Sequence, residues 1–317
     1  MLLTILLVVL GFVCLIFGAN WLVDGASALA KKYKVSDLAI GLTIVAFGTS
    51  APELVVNIIG SLNGYSDIVF GNVIGSNNFN LFIILGISGI ILPITVQSST
   101  AWKEIPISFF VTGLILLFVN DFFFIGQGSL VRFEGAVLLL LFLLFLLYVF
   151  KQMKRDTVGQ ATLNNKSIIK ILILVVAGLS GLIIGGQLVV INSVQIANHL
   201  GVSEKIIGLT IVAAGTSLPE LVTSVIAAVK KNSDIAIGNV IGSNIFNILL
   251  ILAISGVINP IAYNTKFNTD LFILLGGTAF LFISMLTGKR KKLDRWEAAI
   301  LFIFYLSYTI FLITKEL

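Results

Sequence analysis

Charged residues are scarce in this chain. They make up 11% of 317 residues, while hydrophobic residues make up 58%. A soluble domain carries about a quarter charged residues, so the balance points to an integral membrane protein. Cysteine is nearly absent. The single Cys14 excludes an intramolecular disulfide and a thiolate metal cluster. The single histidine, His199, is expected in an inter-helix loop, solvated rather than functional. No HExxH motif occurs, no apolar run carries a deep His, and no Ser-Lys or Asp-Asp pair within one suggests catalysis. These absences argue against a membrane enzyme. Lys and Arg outnumber Asp and Glu by 20 to 15, a net charge of +5. The basic residues cluster between long apolar runs, which points to membrane topology rather than nucleic acid.

About 20 apolar residues cross a bilayer as a helix. Ten such spans are expected, at 2–23, 38–61, 68–93, 104–120, 131–150, 168–191, 205–229, 235–259, 269–287 and 296–314. The first lacks the positive leader of a signal peptide and has a counterpart inside the chain, so it reads as a true helix. The chain repeats itself. SDLAIGLTIVAFGTSAPELV (36–55) returns as SEKIIGLTIVAAGTSLPELV (203–222), at a spacing of 167. At that spacing SDIVFGNVIGSNNFN (66–80) matches SDIAIGNVIGSNIFN (233–247) at 12 of 15 positions. Pro93 falls on Pro260, and Gly11 and Gly18 fall on Gly178 and Gly185. Arg132-Phe-Glu134 resembles Arg295-Trp-Glu297 at a spacing of 163. The expected organisation is a five-helix repeat over 1–150, a cytoplasmic connecting loop over 151–167 and a second repeat over 168–317. Five crossings per half put the halves in the membrane with opposite orientations, an all-α, inverted-topology architecture.

The basic residues test this independently. With ten spans, one side receives Lys31, Lys32, Lys34, Lys103, Lys151, Lys154, Arg155, Lys166, Lys170, Lys230, Lys231, Lys289, Arg290, Lys291, Lys292 and Arg295. The other side receives only Arg132, Lys205, Lys266 and Lys315. The positive-inside rule makes the first side cytoplasmic and both termini external. Trp21, Trp102 and Trp296 suit interface anchoring.

Most acids lie in loops or at span ends, and Asp24, Asp67 and Asp234 read as solvated or capping. Glu53 and Glu220 differ. Each lies deep in an apolar segment, within Gly-Thr-Ser-X-Pro-Glu, with no deep Lys or Arg to neutralise it. Ionisable groups at that depth usually mark ion paths or proton relays. Proline removes a backbone donor and disrupts the helix before it. The freed carbonyls are tolerable only where they face protein, water or an ion. Carboxylate, hydroxyls and carbonyls together form a hard oxygen set of the kind Ca²⁺ and Na⁺ prefer. The second motif adds oxygen on one helical face: Ser76 with Asn80, and Ser243 with Asn247, each at i and i+4. Asn72, Asn77, Asn239 and Asn244 fit either interhelical hydrogen bonding or direct site lining. Gly71, Gly75, Gly238 and Gly242 allow close helix approach.

Together these motifs resemble the sodium/calcium exchanger family of the calcium:cation antiporter superfamily. The two family repeats match 41–80 and 208–247, and the compact form without a large regulatory domain is the prokaryotic type. The resemblance implies that Glu53 and Glu220 bind Ca²⁺ with the Thr49 and Thr216 carbonyls. It implies one Na⁺ site from Ser50, Ser76 and the Ala213 carbonyl. A pseudo-symmetric site would use Ser217, Ser243 and the Ala46 carbonyl, with Asn80 and Asn247 in the middle. The first and sixth helices would slide to open the site alternately. Some relatives carry Asp where this chain has Asn247, so potassium co-transport is disfavoured and two acids hold the centre.

The expected function is Na⁺-driven Ca²⁺ extrusion across a prokaryotic inner membrane, electrogenic at three Na⁺ per Ca²⁺. No cofactor, nucleic acid or obligate protein partner is expected; Ca²⁺ and Na⁺ are substrates and the bilayer is the surroundings. The alternative is a H⁺/Ca²⁺ antiporter of the same fold, since deep glutamates also carry protons. A passive cation channel is the more distant rival.

Overall fold

A computed structural model describes residues 2–120, 122, 128–155, 167–199, 213–287 and 291–316. Twelve helices organise these residues: α1 (Leu2–Tyr33), α2 (Asp37–Thr49), α3 (Ala51–Leu62), α4 (Ser66–Ile91), α5 (Thr100–Val119), α6 (Arg132–Arg155), α7 (Ile168–His199), α8 (Ala213–Thr216), α9 (Leu218–Val229), α10 (Ser233–Ile258), α11 (Asn268–Ser284) and α12 (Arg295–Glu316). Eight helical segments among the described residues are long and apolar enough to cross a membrane. The pair α2–α3, bent by 48°, makes a ninth, broken span. The expected span at 205–229 is represented by α8 and α9; its first residues, 205–212, lie outside the described residues.

Three expected span ends need correcting. α1 continues ten residues past Val23 and α7 eight past Ile191. α6 runs to Arg155, five residues into the expected connecting loop, of which 156–166 lie outside the described residues. Hydropathy marks the apolar stretch, not the helix, and no extension contains proline to stop it. His199 is therefore the exposed last residue of α7, not a loop residue. Asp24 likewise lies on a helix, and its carboxylate accepts the Lys230 ammonium at 2.7 Å. Asp67 stays exposed in the first turn of α4, and Asp234 accepts a bond from Gln97 at 2.6 Å.

α4 and α10 form the centre: their apolar stretches are 72% and 78% buried, against 17% for α12 at the rim. α1 and α7 run antiparallel beside each other, joined by glycine. A Cβ on Gly18 would stand 2.8 Å from the Leu182 nitrogen, and one on Gly178 would stand 2.6 Å from the Leu22 nitrogen. Any side chain at those positions would force the backbones apart. α10 approaches α2 in the same way through Gly238 and Gly242. Among the described residues, a Cβ on Gly71 would meet only the Phe267 ring, at 3.6 Å, and one on Gly75 would meet nothing within 4 Å.

The repeated Pro93/Pro260 and Arg-X-Glu signals have a joint explanation. Each proline ends a central helix and is followed by a two-residue strand: β1 (Ile94–Thr95) and β3 (Ile261–Ala262). The strands β2 (Ser129–Leu130) and β4 (Lys292–Leu293) precede α6 and α12. β1 pairs antiparallel with β4, and β2 with β3, so each patch joins one half to the other. Glu134 then accepts the Val131 N–H at 3.0 Å, and Glu297 the Asp294 N–H at 2.8 Å. These third-residue glutamates close the first turns of α6 and α12.

Among the described residues, three non-glycine residues have positive φ, and all are lysines on the lysine-rich face: Lys34, Lys231 and Lys291. Lys231 is the repeat partner of Gly64, which has φ +73°. The left-handed conformation costs an L-residue about 1–2 kcal/mol. Charge on this face is therefore retained at the expense of backbone comfort. Lys231→Gly is expected to raise stability by about 1 kcal/mol, read as a higher midpoint of thermal unfolding in detergent.

Candidate functional site

Both Gly-Thr-Ser-X-Pro-Glu motifs interrupt a helix as their composition dictates. Ser50 (φ −81°, ψ 8°) separates α2 from α3, and Ser217 (φ −89°, ψ 7°) separates α8 from α9. Pro52 and Pro219 occupy the first turn of the new helix and withhold an N–H from the preceding one. Glu53 and Glu220 follow in that first turn, where the helix dipole favours negative charge. Ala46 ends less bare than its position suggested: its carbonyl accepts the Ser50 N–H at 3.0 Å. Ala213 opens α8, in the equivalent place.

The two glutamates are each 1% exposed. Each accepts a hydrogen bond from a serine of the opposite half, and Glu220 Oε1 also lies 3.5 Å from Ser243 Oγ of its own half. Ser50 Oγ donates to Glu220 Oε1 at 2.7 Å, and Ser217 Oγ donates to Glu53 Oε1 at 3.1 Å. The same serines reach the central helices, Ser50 to Ser243 at 3.0 Å and Ser217 to Ser76 at 3.1 Å. Thr49 crosses as well, donating to Asn239 Oδ1 at 3.0 Å, and Thr216 donates to Asn72 Oδ1 at 3.4 Å.

The asparagines left open by the sequence take part in interhelical bonding. Asn239 Nδ2 donates to the Glu220 carbonyl and to Ser224 Oγ, and Asn72 Nδ2 to the Glu53 carbonyl and Asn57 Oδ1. Asn77 and Asn244 exchange bonds across the halves and accept from Asn247 and Asn80. Wide π-helical turns begin at Phe79 in α4 and at Asn247 in α10, beside these residues. Such turns often mark functional sites. Asn57 and Ser224 are fully buried supports that the motif reading missed. Their identities differ between repeats, yet each lies four residues after its glutamate, a spacing that shares its helix face.

Among the described residues, four buried oxygens in this cluster have no hydrogen-bond partner: Glu53 Oε2, Glu220 Oε2, Asn80 Oδ1 and Asn247 Oδ1. A buried acceptor without a donor is costly and calls for an ion or water. The geometry therefore combines two carboxylates, two amide oxygens and four hydroxyls in a buried centre.

Comparison with known proteins shows the family. The family model for the sodium/calcium exchanger protein matches residues 3–151 and 170–314. The chain belongs to the sodium/calcium exchanger family. It is a multi-span membrane protein of a transporter family, not of an enzyme family. It is 38% identical to the putative antiporter CaxA of Alkalimonas amylolytica over 97% of this chain and 98% of that one. It is 33% identical to the sodium/calcium exchanger MaX1 of Methanosarcina acetivorans, over 97% of each. A solved structure of the sodium-calcium exchanger NCX_Mj, soaked with Na⁺ and Sr²⁺, superposes with a TM-score of 0.83 at 31% identity. The match covers 96% of this chain and 97% of that one.

The exchanger's threonine and glutamate roles separate experimentally. Thr49→Val removes only a hydroxyl and leaves Asn239 Oδ1 without its donor. A loss of about 1–3 kcal/mol in thermal stability is expected. Ca²⁺ transport by the surviving folded protein should continue, measured by isotope uptake into vesicles.

Proposed function

We propose that this exchanger couples inward Na⁺ movement to Ca²⁺ extrusion by alternating access, with Glu53 and Glu220 sharing the Ca²⁺. The observation that carries this reading is the set of four unpartnered buried oxygens, two of them carboxylate. Two carboxylates neutralise one Ca²⁺, and hard oxygen ligands suit both Ca²⁺ and Na⁺. In this reading the Thr49 and Thr216 carbonyls complete the Ca²⁺ shell. Ser50, Ser76 and the Ala213 carbonyl hold one Na⁺; Ser217, Ser243 and the Ala46 carbonyl hold its mate. Asn80 and Asn247 line the middle. Competition arises because both ions need the same two carboxylates.

The close antiparallel pair α1–α7 is the moving element of the proposal. It lies outside the central helices, and its glycines leave backbone facing backbone. The lysine-rich face is cytoplasmic in a cell membrane and the termini are external, in keeping with the basic-residue split. The five-helix halves are the inverted units that exchange access between the two faces. Three Na⁺ against one Ca²⁺ moves one net charge per cycle, worth about 2.3 kcal/mol per 100 mV.

Reconstituted protein with Na⁺ inside is expected to take up Ca²⁺ when Na⁺ is diluted outside. Uptake that ignores the Na⁺ gradient and follows a pH gradient would instead favour proton coupling. Glu53→Gln and Glu220→Gln should each abolish uptake, and normal uptake by either refutes the shared site. Exit of three Na⁺ for entry of one Ca²⁺ carries net positive charge outward. An inside-positive potential, set with K⁺ and valinomycin, should therefore accelerate uptake, and indifference to voltage would refute electrogenic coupling.

A further inference from the structure

The central amides of Asn80 and Asn247 face a chemical choice. Each amide has an oxygen that attracts a cation and an NH₂ that repels one. Something must decide which end faces the centre, and the decision can be traced to two backbone carbonyls.

Asn77 Nδ2 donates to the Asn244 carbonyl at 3.2 Å, and Asn244 Nδ2 donates to the Asn77 carbonyl at 3.2 Å. A carbonyl only accepts, so these two amides must turn their NH₂ groups toward the opposite backbone. Their oxygens then point the other way and demand donors. Asn80 Nδ2 meets Asn244 Oδ1 at 3.1 Å, and Asn247 Nδ2 meets Asn77 Oδ1 at 2.9 Å. With their NH₂ groups spent, Asn80 and Asn247 keep oxygen free, and those two Oδ1 atoms are buried without a hydrogen-bond partner among the described residues. Flipping either amide would set oxygen against oxygen and bury both acceptors unpaired.

We propose that Asn77 and Asn244 are positioning residues that lock the Asn80 and Asn247 amides oxygen-inward, and so set the preference of the site for hard cations. The assignment rests on the exchange function proposed above. Each positioning residue acts on the other half of the molecule: Asn244 orients Asn80, and Asn77 orients Asn247. The pairs repeat at the same spacing of 167, so the device is present twice.

The test is a double-mutant cycle on half-saturating Ca²⁺, measured as Na⁺-gradient-driven uptake into vesicles. Asn244→Ala is expected to raise it about 10- to 100-fold, as loss of an outer support typically does. Adding Asn244→Ala to Asn80→Ala should then cost nothing more, since no amide remains to orient. Full additivity in the double variant, or an unchanged value in Asn244→Ala, overturns the proposal. If Asn244→Ala does not fold, the mirror cycle of Asn77→Ala and Asn247→Ala is read the same way. Failure of both Asn77→Ala and Asn244→Ala to fold, while Asn80→Ala and Asn247→Ala fold, would make the pair structural and also overturn it. Wild-type vesicles that move no Ca²⁺ would refute the exchange function itself; exchanging wild type with an additive cycle refutes only the orientation role.

Discussion

Glu53 and Glu220 each accept a hydrogen bond from a serine on the opposite half, and the remaining architecture serves that exchange. A carboxylate at this depth is costly unless it is bonded and matched by positive charge. Ser50 and Ser217 supply the bonds, and they reach across because each occupies the break in a helix. The break needs proline to withhold an N–H and a non-helical serine backbone to turn the chain. The central helices must then come close, which Gly238 and Gly242 permit on the side that is described. In the proposed reading, neither half contains a finished site. The repeat is thus more than a duplicated scaffold: each copy completes the other's chemistry.

Much of this was legible in the residues. The 167-residue spacing exposed the repeat, and two deep acids without basic partners exposed the site. The Ser-Asn spacing put hydroxyl and amide on one helical face. What stayed hidden has physical reasons. Crossed bonds such as Ser50 to Glu220 are long-range, and one repeat reads the same whether it bonds to itself or to its twin. Asn57 and Ser224 escaped because a repeat search rewards identity, while hydrogen bonding accepts either residue. The two-residue strands are too short to have a pattern. Hydropathy also ended α1 and α7 too early, since polar residues continue a helix once it leaves the apolar layer.

The two faces depart from symmetry in a consistent way. Lys231 stands where the other repeat has Gly64, so the same backbone turn is made with a charge on one face and without a side chain on the other. Lys230, which bonds Asp24 on α1, stands where the other repeat has Asn63. The turns thereby carry a charge difference between the repeats, while the motif residues around the glutamates keep their symmetry.

The crossed pairing also has a consequence for biogenesis. Glu53 and Ser217 are 164 residues apart in the chain. At about 5–20 residues per second, synthesis leaves Glu53 without its serine for on the order of 10 s. The β1–β4 and β2–β3 patches wait for the second half as well. During that interval the first half is an incomplete intermediate, with a carboxylate that must stay protonated, hydrated or near the membrane surface. Closure of the centre is therefore a late event in assembly, and the nascent chain is most vulnerable to quality control just before its second broken helix arrives.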